Sequence, residues 1–319
     1  MAELRKDYIL DRYVIIATER SLRPHQFKRQ EESKKVDVCY FCPGKEDLTP
    51  PETGRVQIET KGMKGWCIRY FPNKYPAVMQ EGNSIIKTDN EFFTYADAVG
   101  MHEVIVETPE HEKELADLSV QHIARVLEVY KERIEMLSKL PDIKYVAVFK
   151  NSGREAGTSL VHSHSQIIAY NLIPPIITEK EQACRKSNSC PYCKMLNIEK
   201  NSYRRCYENE HFLSFTPYAS RFPMEVWMLP KRHVLSIAEL SGPEMTALAE
   251  MLKRILLKLK DLNAPYNYYL QYGLEKMHFH IEILPRLSTL AGFEFSTGTI
   301  INTLTPEEAA GFYRNEKVG

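Results

Sequence analysis

Cysteine and histidine residues occur twice along this chain in the same order. Each set has a Cys-x-x-Cys pair, then a lone histidine, then a His-x-His pair followed two residues later by Gln or Glu. The first set is Cys39, Cys42, His111, His162, His164 and Gln166, and the second is Cys190, Cys193, His233, His278, His280 and Glu282. Thiolates and imidazoles are ligands that Zn²⁺ prefers, and four of them close a tetrahedral structural site. The repeat therefore predicts two zinc ions per chain.

Each Cys-x-x-Cys pair supplies two ligands, so the other two must come from distant segments. The predicted ligands are Cys39, Cys42, His111 and His162 for the first ion, and Cys190, Cys193, His233 and His278 for the second. His280 remains an alternative to His278, since the two lie in one His-x-His pair. We expect the first ion to pin the loop before a helix to the segment that bears His164, so its role would be positional.

The first His-x-His pair could also carry out chemistry. On a strand, His162, His164 and Gln166 would point to the same face. If His162 binds metal, His164 is left free, and imidazole is a good nucleophile at phosphorus near neutral pH because much of it is unprotonated. Gln166 could donate its amide to a non-bridging phosphate oxygen. The preceding turn, which contains Gly153, Gly157 and Ser159, offers N–H groups of the kind that cradle phosphate.

Composition excludes several classes of partner. Among 319 residues, 42 Lys and Arg balance 42 Asp and Glu, so no overall basic field would attract nucleic acid. The charged N-terminus lacks the apolar core of a signal peptide, and no stretch is apolar enough for a membrane helix. Two close cysteine pairs suit metal better than disulfides in a reducing compartment. We therefore expect a cytoplasmic protein that contacts neither nucleic acid nor membrane.

The elements that must position these residues are also duplicated. Apolar residues recur at helical spacing from Ser119 to Leu140, and a second helix opens at Ser241 and runs to about Leu262. Short β-branched strands precede and follow each helix. This order predicts an α+β fold of two tandem halves, each a mostly antiparallel sheet with a long helix. The halves are placed at 1–172 and 173–319, joined by a crossover at Leu172–Glu179 with low helical tendency.

Taken together, these motifs resemble the galactose-1-phosphate uridylyltransferase branch of the histidine-triad superfamily. The resemblance covers nearly the whole chain, from a segment that begins at Asp11 and contains Arg20-Ser-Leu-Arg23 to Ala291-Gly-Phe-Glu. It includes Asn73-Lys-Tyr-Pro76 and the His162-Ser-His164-Ser-Gln166 motif. It implies two histidine-triad-like halves, a homodimer and a ping-pong reaction. The histidine matching His164 would attack the α-phosphate of a nucleotide sugar, release a sugar 1-phosphate and pass the nucleotide to another sugar 1-phosphate.

The resemblance also implies roles for individual residues. Gln166 matches a glutamine that stabilises the covalent intermediate, and Asn73 matches the nucleoside-binding strand. Phosphate and ribose contacts are implied for Asn151, Gly157 and Ser159, and phosphate contacts across a dimer interface for Arg20 and Arg23. Cys39, Cys42, His111 and His162 match the zinc ligands of the family.

Three departures bear on the substrate. Ser163 and Ser165 replace the residues of the common His-Pro-His-Gly-Gln motif, a second Cys-x-x-Cys pair is present, and the lysine and glutamine that usually hold the hexose phosphate are missing near Gly292. These features resemble the ADP-glucose phosphorylase-like subgroup. The first hypothesis is therefore a UDP-glucose–hexose-1-phosphate uridylyltransferase, and the alternative is an ADP-sugar phosphorylase that uses the same histidine. A third hypothesis is a zinc-stapled nucleotide-binding adaptor without turnover; a zinc protein that binds nucleic acid is the least favoured.

Overall fold

A computed structural model of the protein describes residues 2–16, 38–57, 65–158 and 160–316. Arg20, Arg23 and Ser159 lie outside the described residues. Two compact units are present. The first unit contains the described residues of Val36–Lys150 and Leu160–Pro174, and the second contains those of Met1–Lys35, Asn151–Ser159 and Pro175–Gly319. The boundary predicted between residues 172 and 173 stays a prediction about the repeat.

The described residues form helices and strands in mixed order along the chain. The strands are β1 (Glu3–Lys6), β2 (Tyr13–Ile16), β3 (Gly54–Gln57), β4 (Trp66–Pro72), β5 (Lys87–Thr88), β6 (Thr94–Tyr95), β7 (Gly100–Val106), β8 (Tyr145–Ser152), β9 (His164–Tyr170), β10 (Arg205–Glu208), β11 (Phe212–Phe215), β12 (Val226–Pro230), β13 (Tyr266–Gln271), β14 (His280–Pro285) and β15 (Ile300–Asn302). The α-helices are α1 (Val120–Leu137), α2 (Pro175–Arg185), α3 (Pro191–Glu199), α4 (Gly242–Asp261), α5 (Gly292–Thr297) and α6 (Pro306–Tyr313).

In the first unit, strands β8, β9, β7, β4 and β3 lie side by side in that order, and neighbours are antiparallel. β9 is an interior strand, paired with β7 along its whole length. Helix α1 packs across these strands through apolar residues at helical spacing and through Arg133, which makes two 2.9 Å hydrogen bonds with Glu103 of β7. Ser119 caps α1 by accepting a hydrogen bond from the His122 N–H. β9 is therefore paired with β7 on one side and β8 on the other, and α1 contacts it on one face through Tyr130.

In the second unit, strands β10, β11, β12, β14 and β13 form an antiparallel series in that order. Helix α4 packs against β11 and begins with a capping box between Ser241 and Glu244. A separate three-stranded sheet has the order β1-β2-β15, in which β15 runs parallel to β2. The predicted α+β class, the mostly antiparallel sheets and the two long helices are confirmed.

Two local expectations were wrong. The crossover at Leu172–Glu179 was expected to avoid helix, yet α2 begins at Pro175, because proline is well tolerated in the first turn of a helix, where its missing N–H needs no partner. His162 was expected on the same strand as His164, but β9 starts at His164 and β14 likewise starts at His280. His162 and His278 therefore lie just before each strand, where the chain is free to turn toward the cysteines.

Candidate active site and metal centres

The four ligands predicted for the first metal site converge in the first unit. The ligand atoms of Cys39, Cys42, His111 and His162 all lie within 4.8 Å of one another. His162 Nδ1 is 3.5 Å from Cys39 Sγ and 3.7 Å from Cys42 Sγ, and His111 Nδ1 is 3.4 Å from Cys42 Sγ. A zinc tetrahedron with ordinary Zn–S and Zn–N bonds has sulfur–nitrogen edges of about 3.5 Å. The cluster therefore fits a tetrahedral metal ion.

Hydrogen bonding orients His162 for this role. Its Nε2–H donates to the Thr108 carbonyl at 2.7 Å, which leaves the lone pair on Nδ1, facing the thiols. Burial, and secondarily the neighbouring Cys39 thiol, raise the pKa of Cys42 to about 11. A metal ion would therefore displace protons when it binds.

The second cluster repeats this arrangement in the second unit. Cys190, Cys193, His233 and His278 offer ligand atoms within 4.8 Å of one another. Cys193 Sγ lies 3.4 Å from His233 Nδ1 and 3.5 Å from His278 Nδ1, again the edges of a zinc tetrahedron. Of the two alternatives left open by the sequence, His278 and not His280 lies in this cluster.

The hydrogen bonding of His164 determines which of its ring nitrogens carries the lone pair. Its Nδ1–H donates to the His162 carbonyl at 2.8 Å, so the lone pair of the neutral ring lies on Nε2. No hydrogen bond to Nε2 comes from the residues that the structure describes. Burial, reinforced by the positive charge of Lys150, lowers the pKa of His164 below its ordinary 6.5. The imidazole is therefore neutral, with its lone pair available, at physiological pH.

Gln166 lies two residues beyond His164 on the same strand, and its carboxamide is held by a residue that the sequence analysis did not single out. His102 of β7 has its Nε2 2.9 Å from Gln166 Oε1. His102 and Asn73 also line a cavity of about 400 Å³ together with Met79, Gly100 and Met101. The structure thus brings Asn73 and Gln166 to the same histidine.

A buried polar network contacts the residues at the start of β9. Lys150 donates to Glu107 Oε2 at 2.6 Å, to Ser163 Oγ at 3.0 Å and to the His164 carbonyl at 3.0 Å. Ser163 Oγ–H also donates to Glu107 Oε2 at 2.6 Å. Burial alone would raise the pKa of Glu107, but the Lys150 charge and these hydrogen bonds hold it below its usual value. Both Ser163 and the carbonyl of His164 are therefore fixed by one ion pair.

In the second unit, the histidine equivalent to His164 is His280, and both of its ring nitrogens have partners. His280 Nδ1–H donates to the His278 carbonyl at 2.9 Å, as His164 does to His162. Its Nε2, however, lies 3.2 Å from Glu282 Oε1, and the rings of Tyr192 and Trp227 lie 4.9 Å and 5.3 Å from the imidazole. The corresponding nitrogen is thus occupied by a carboxylate, which distinguishes it from His164 Nε2.

The other predicted substrate contacts fall in the second unit or outside the described residues. Asn151 Oδ1 accepts a 2.8 Å hydrogen bond from Asn267 Nδ2. Gly157 has a φ of +87°, which favours glycine, and its N–H donates to the Arg154 carbonyl at 3.0 Å, so this N–H already serves the turn. The substrate roles of Asn151 and Gly157 stay predictions, as do those of Ser159, Arg20 and Arg23.

Sequence reasoning missed His102, Glu107 and Lys150. Each lies in a strand or next to one, with ordinary spacing to its neighbours, so nothing in the local pattern marks it. One signal was available: His102, Glu103 and Lys150 are polar residues inside otherwise apolar strands. Polar groups buried in a strand need hydrogen-bonding partners, so such residues are candidates for a buried network.

Comparisons with known proteins agree with this geometry. The profile of the galactose-1-phosphate uridyl transferase N-terminal domain matches residues 1–174, and that of the C-terminal domain matches residues 146–314. An ADP-glucose phosphorylase from Arabidopsis thaliana is 34% identical over 98% of this chain and 92% of its own length. A galactose-1-phosphate uridylyltransferase from Thermotoga maritima is 32% identical over 100% of this chain and 99% of its own.

Solved structures give the same result. The crystal structure of an Arabidopsis thaliana ADP-glucose phosphorylase with bound ADP-glucose has a TM-score of 0.83 at 32% identity and covers 98% of this chain and 99% of its own. A uridylyltransferase structure has a TM-score of 0.75 at 29% identity, covering 99% and 98%. Within the described residues, no helix combines the length and apolar character needed to cross a membrane. Matched by both domain profiles and along its whole length by full-length relatives, the chain belongs to the galactose-1-phosphate uridyl transferase family.

Proposed function

We propose that this protein is a nucleotidyltransferase that acts on nucleotide sugars through a covalent nucleotidyl-His164 intermediate. The first candidate activity is that of a UDP-glucose–hexose-1-phosphate (galactose-1-phosphate) uridylyltransferase. The observation that carries the proposal is the state of His164: its Nδ1–H is committed to the His162 carbonyl at 2.8 Å, and its Nε2 has no hydrogen-bonding partner among the described residues. A buried neutral imidazole so oriented is suited to attack phosphorus.

The chemistry follows from this orientation. His164 Nε2 forms a bond to the α-phosphorus of the donor, and the bond from that phosphorus to the bridging oxygen breaks, so that a sugar 1-phosphate leaves. The ring then carries a positive charge, which the His162 carbonyl stabilises through Nδ1–H. In the second half-reaction, a phosphate oxygen of the acceptor attacks the same phosphorus and the N–P bond breaks. Gln166 would donate its amide to a non-bridging oxygen in both steps.

We further propose that both clusters bind Zn²⁺, giving two ions per chain. The sulfur–nitrogen distances of 3.4 to 3.7 Å support this assignment. Four protein ligands leave no open position for water, so zinc would supply rigidity rather than Lewis-acid chemistry. At the first site it would hold the turn that contains Cys39 and Cys42 against His162, next to the nucleophile.

The second candidate activity is an ADP-sugar phosphorylase, in which inorganic phosphate accepts the nucleotide. It is favoured by the higher TM-score to the Arabidopsis ADP-glucose phosphorylase, 0.83 against 0.75 for the uridylyltransferase. The same His164 chemistry serves both candidates, since only the base and the acceptor differ. A cytoplasmic location and a homodimer stay predictions from the sequence.

The deciding experiment measures the first half-reaction separately from the second. The protein is incubated with UDP-glucose or ADP-glucose, each labelled in the α-phosphate, and the acid-labile label retained on protein is counted and mapped. We expect label on His164 from one of the two donors, and its removal by galactose 1-phosphate or by phosphate identifies the acceptor. Label bound to another residue would contradict the nucleophile assignment.

Variants provide the controls. His164→Ala should abolish labelling, whereas His211→Ala should leave it intact, because His211 is a half-exposed residue in the turn before β11. Tight binding of a sugar nucleotide by the wild type without exchange against any acceptor would instead support the adaptor hypothesis.

A further inference from the structure

His102 connects the cavity beside Asn73 to the strand that carries the nucleophile. It lies in the interior of β7, directly opposite Ile168 of β9 and diagonal to Gln166. Only 7% of its surface is exposed, so its ring nitrogens need partners from the protein. Those partners determine which nitrogen carries the proton.

The backbone fixes the tautomer of His102. The Ala77 N–H donates to His102 Nδ1 at 3.1 Å, so this nitrogen bears a lone pair. A neutral ring must then carry its proton on Nε2, and burial favours the neutral ring by lowering the pKa of His102. The Asn73 amide nitrogen lies 3.1 Å from Nε2, and because both nitrogens carry hydrogen this is a close contact rather than a hydrogen bond. Asn73 Oδ1 already accepts from the Tyr75 N–H at 2.9 Å.

The protonated Nε2 in turn fixes the carboxamide of Gln166. Nε2–H can donate only to an acceptor, so the group 2.9 Å away must be the Gln166 oxygen and not its NH₂. With Oε1 occupied, the part of the carboxamide left for a ligand is the NH₂. A donor amide facing a phosphoryl oxygen is attractive, whereas a carbonyl oxygen in the same place would be repulsive.

We propose that His102 is a positioning residue that sets the orientation of the Gln166 carboxamide, so that its NH₂ and not its oxygen faces the transferring phosphoryl group. The proposal rests on the proposed function for the identity of that group. The chain of hydrogen bonds runs from the Ala77 backbone through both nitrogens of His102 to Gln166. The same ring also lines the cavity of about 400 Å³ beside Asn73.

A double-mutant cycle on the first half-reaction tests this role. We expect His102→Leu, which removes the donor but fills similar space, to slow the single-turnover release of glucose 1-phosphate from UDP-glucose or ADP-glucose by about 10- to 100-fold. In the Gln166→Ala background the same change should cost no more than about twofold, because the group that it orients is gone. Costs that multiply independently in the double variant would overturn the proposal.

Two variants separate positioning from structural support. His102→Gln can place an amide N–H where Nε2–H was, so it should recover most of the lost rate, with the apparent dissociation constant of the donor changed less than the rate. His211→Leu replaces a histidine remote from β7 and β9 in sequence and should leave the rate unchanged. A His102→Gln variant as slow as His102→Leu, with equal melting temperatures, would argue that the donor to Gln166 is irrelevant.

A spectroscopic measurement decides the tautomer without relying on turnover. In protein labelled with ¹⁵N-histidine, long-range ¹H–¹⁵N correlations should show His102 protonated on Nε2 and unprotonated on Nδ1 at pH 7, and His102→Leu should shift the side-chain NH₂ signals of Gln166. The opposite tautomer, or unshifted signals, would overturn the proposal even in an active enzyme. Failure of the wild type to exchange any sugar nucleotide would instead count against the proposed function, while this measurement would still decide the hydrogen bond.

Discussion

At the scale of single residues, the two units hold equivalent histidines that make the same hydrogen bond at Nδ1 and differ at Nε2. His164 and His280 each donate Nδ1–H to the carbonyl of the histidine two positions earlier, at 2.8 Å and 2.9 Å. What differs is the residue two positions further on. Glu282 lies 3.2 Å from His280 Nε2 and is itself bonded to Lys180 and Arg221, whereas Gln166 turns to His102. A neutral amide therefore follows the histidine whose Nε2 is unbonded among the described residues, and a carboxylate follows the one whose Nε2 is bonded.

This contrast predicts the effect of Gln166→Glu. A carboxylate at position 166 would attract the Nε2 of a protonated His164, and would repel the negative α-phosphate of a donor. We expect the rate of nucleotidylation to fall by at least about 100-fold, the scale of losing a donor to a developing oxyanion. The single-turnover rate checks this, with Gln166→Asn as the neutral comparison. A Glu variant as active as the Asn variant would show that charge at this position is unimportant.

The pKa of His164 predicts the pH dependence of the first half-reaction. Because burial and the Lys150 charge lower this pKa from 6.5, the ring stays unprotonated and nucleophilic to a lower pH than a free imidazole would. The acid limb of kcat/KM for the nucleotide sugar should thus lie below pH 6.5. Lys150→Met should move that limb to higher pH, because it removes a positive charge. A wild-type limb above pH 6.5 would contradict the assignment.

At the scale of elements, β9, the strand that begins at His164, is held by groups from several segments. Lys150 of β8, Glu107 after β7 and Ser163 before β9 form one buried cluster, and Tyr130 of α1 adds hydrogen bonds to Glu107 at 3.2 Å and to Ser165 at 2.7 Å. The two serines that depart from the common motif are thus both used by this network. A fully bonded buried ion pair is tolerated, whereas one deprived of a partner is costly.

Replacing Lys150 alone should therefore destabilise the protein more than replacing Lys150 and Glu107 together. Lys150→Met leaves the Glu107 carboxylate buried without its counter-charge, and we expect it to lower the free energy of unfolding by about 3–5 kcal/mol. Adding Glu107→Leu should restore most of this loss, since an apolar pair can replace a buried ion pair. The rate should stay low in both, because the His164 carbonyl has lost its donor. Denaturant unfolding and the single-turnover rate measure the two effects; additive destabilisation in the double variant would contradict the coupling.

The same elements show which features a sequence can reveal. The helix at Val120–Leu137 was predictable because its apolar residues repeat locally, and the cysteine and histidine ligands because they recur in order. The Glu107–Lys150 pair was not, since its partners are 43 positions apart and meet only through the register of β7, β9 and β8. The position of His162 outside the strand was missed for a related reason: His162 turns toward two cysteines that are distant in sequence, which the local alternation does not reveal.

At the scale of the whole molecule, each unit contains a cluster of two cysteines and two histidines. Of the two equivalent histidines, His280 has its Nε2 bonded to Glu282, whereas His164 Nε2 has no hydrogen-bonding partner among the described residues. From this difference we expect metal bound at the two clusters to have different effects. The first cluster is joined to the proposed nucleophile, because His162 offers Nδ1 to the cluster and its carbonyl accepts a hydrogen bond from His164. The second is joined to a closed histidine, so its contribution should be to the stability of its own unit.

Removing one ion at a time should separate these contributions. Elemental analysis of wild type should give about two zinc per chain, and about one each for Cys39→Ser/Cys42→Ser and Cys190→Ser/Cys193→Ser. We expect the first variant to lose labelling of His164, because the segment that orients its Nδ1–H is released, and the second to melt at lower temperature while the surviving folded protein still labels. Burial, with the partner thiol, raises the pKa of Cys42 and Cys193 to about 11 and about 12, so lowering the pH should favour the protonated thiols and release both ions. Equal loss of labelling in the two variants, measured per folded chain, would show that both ions support the chemistry and that the division of roles is wrong.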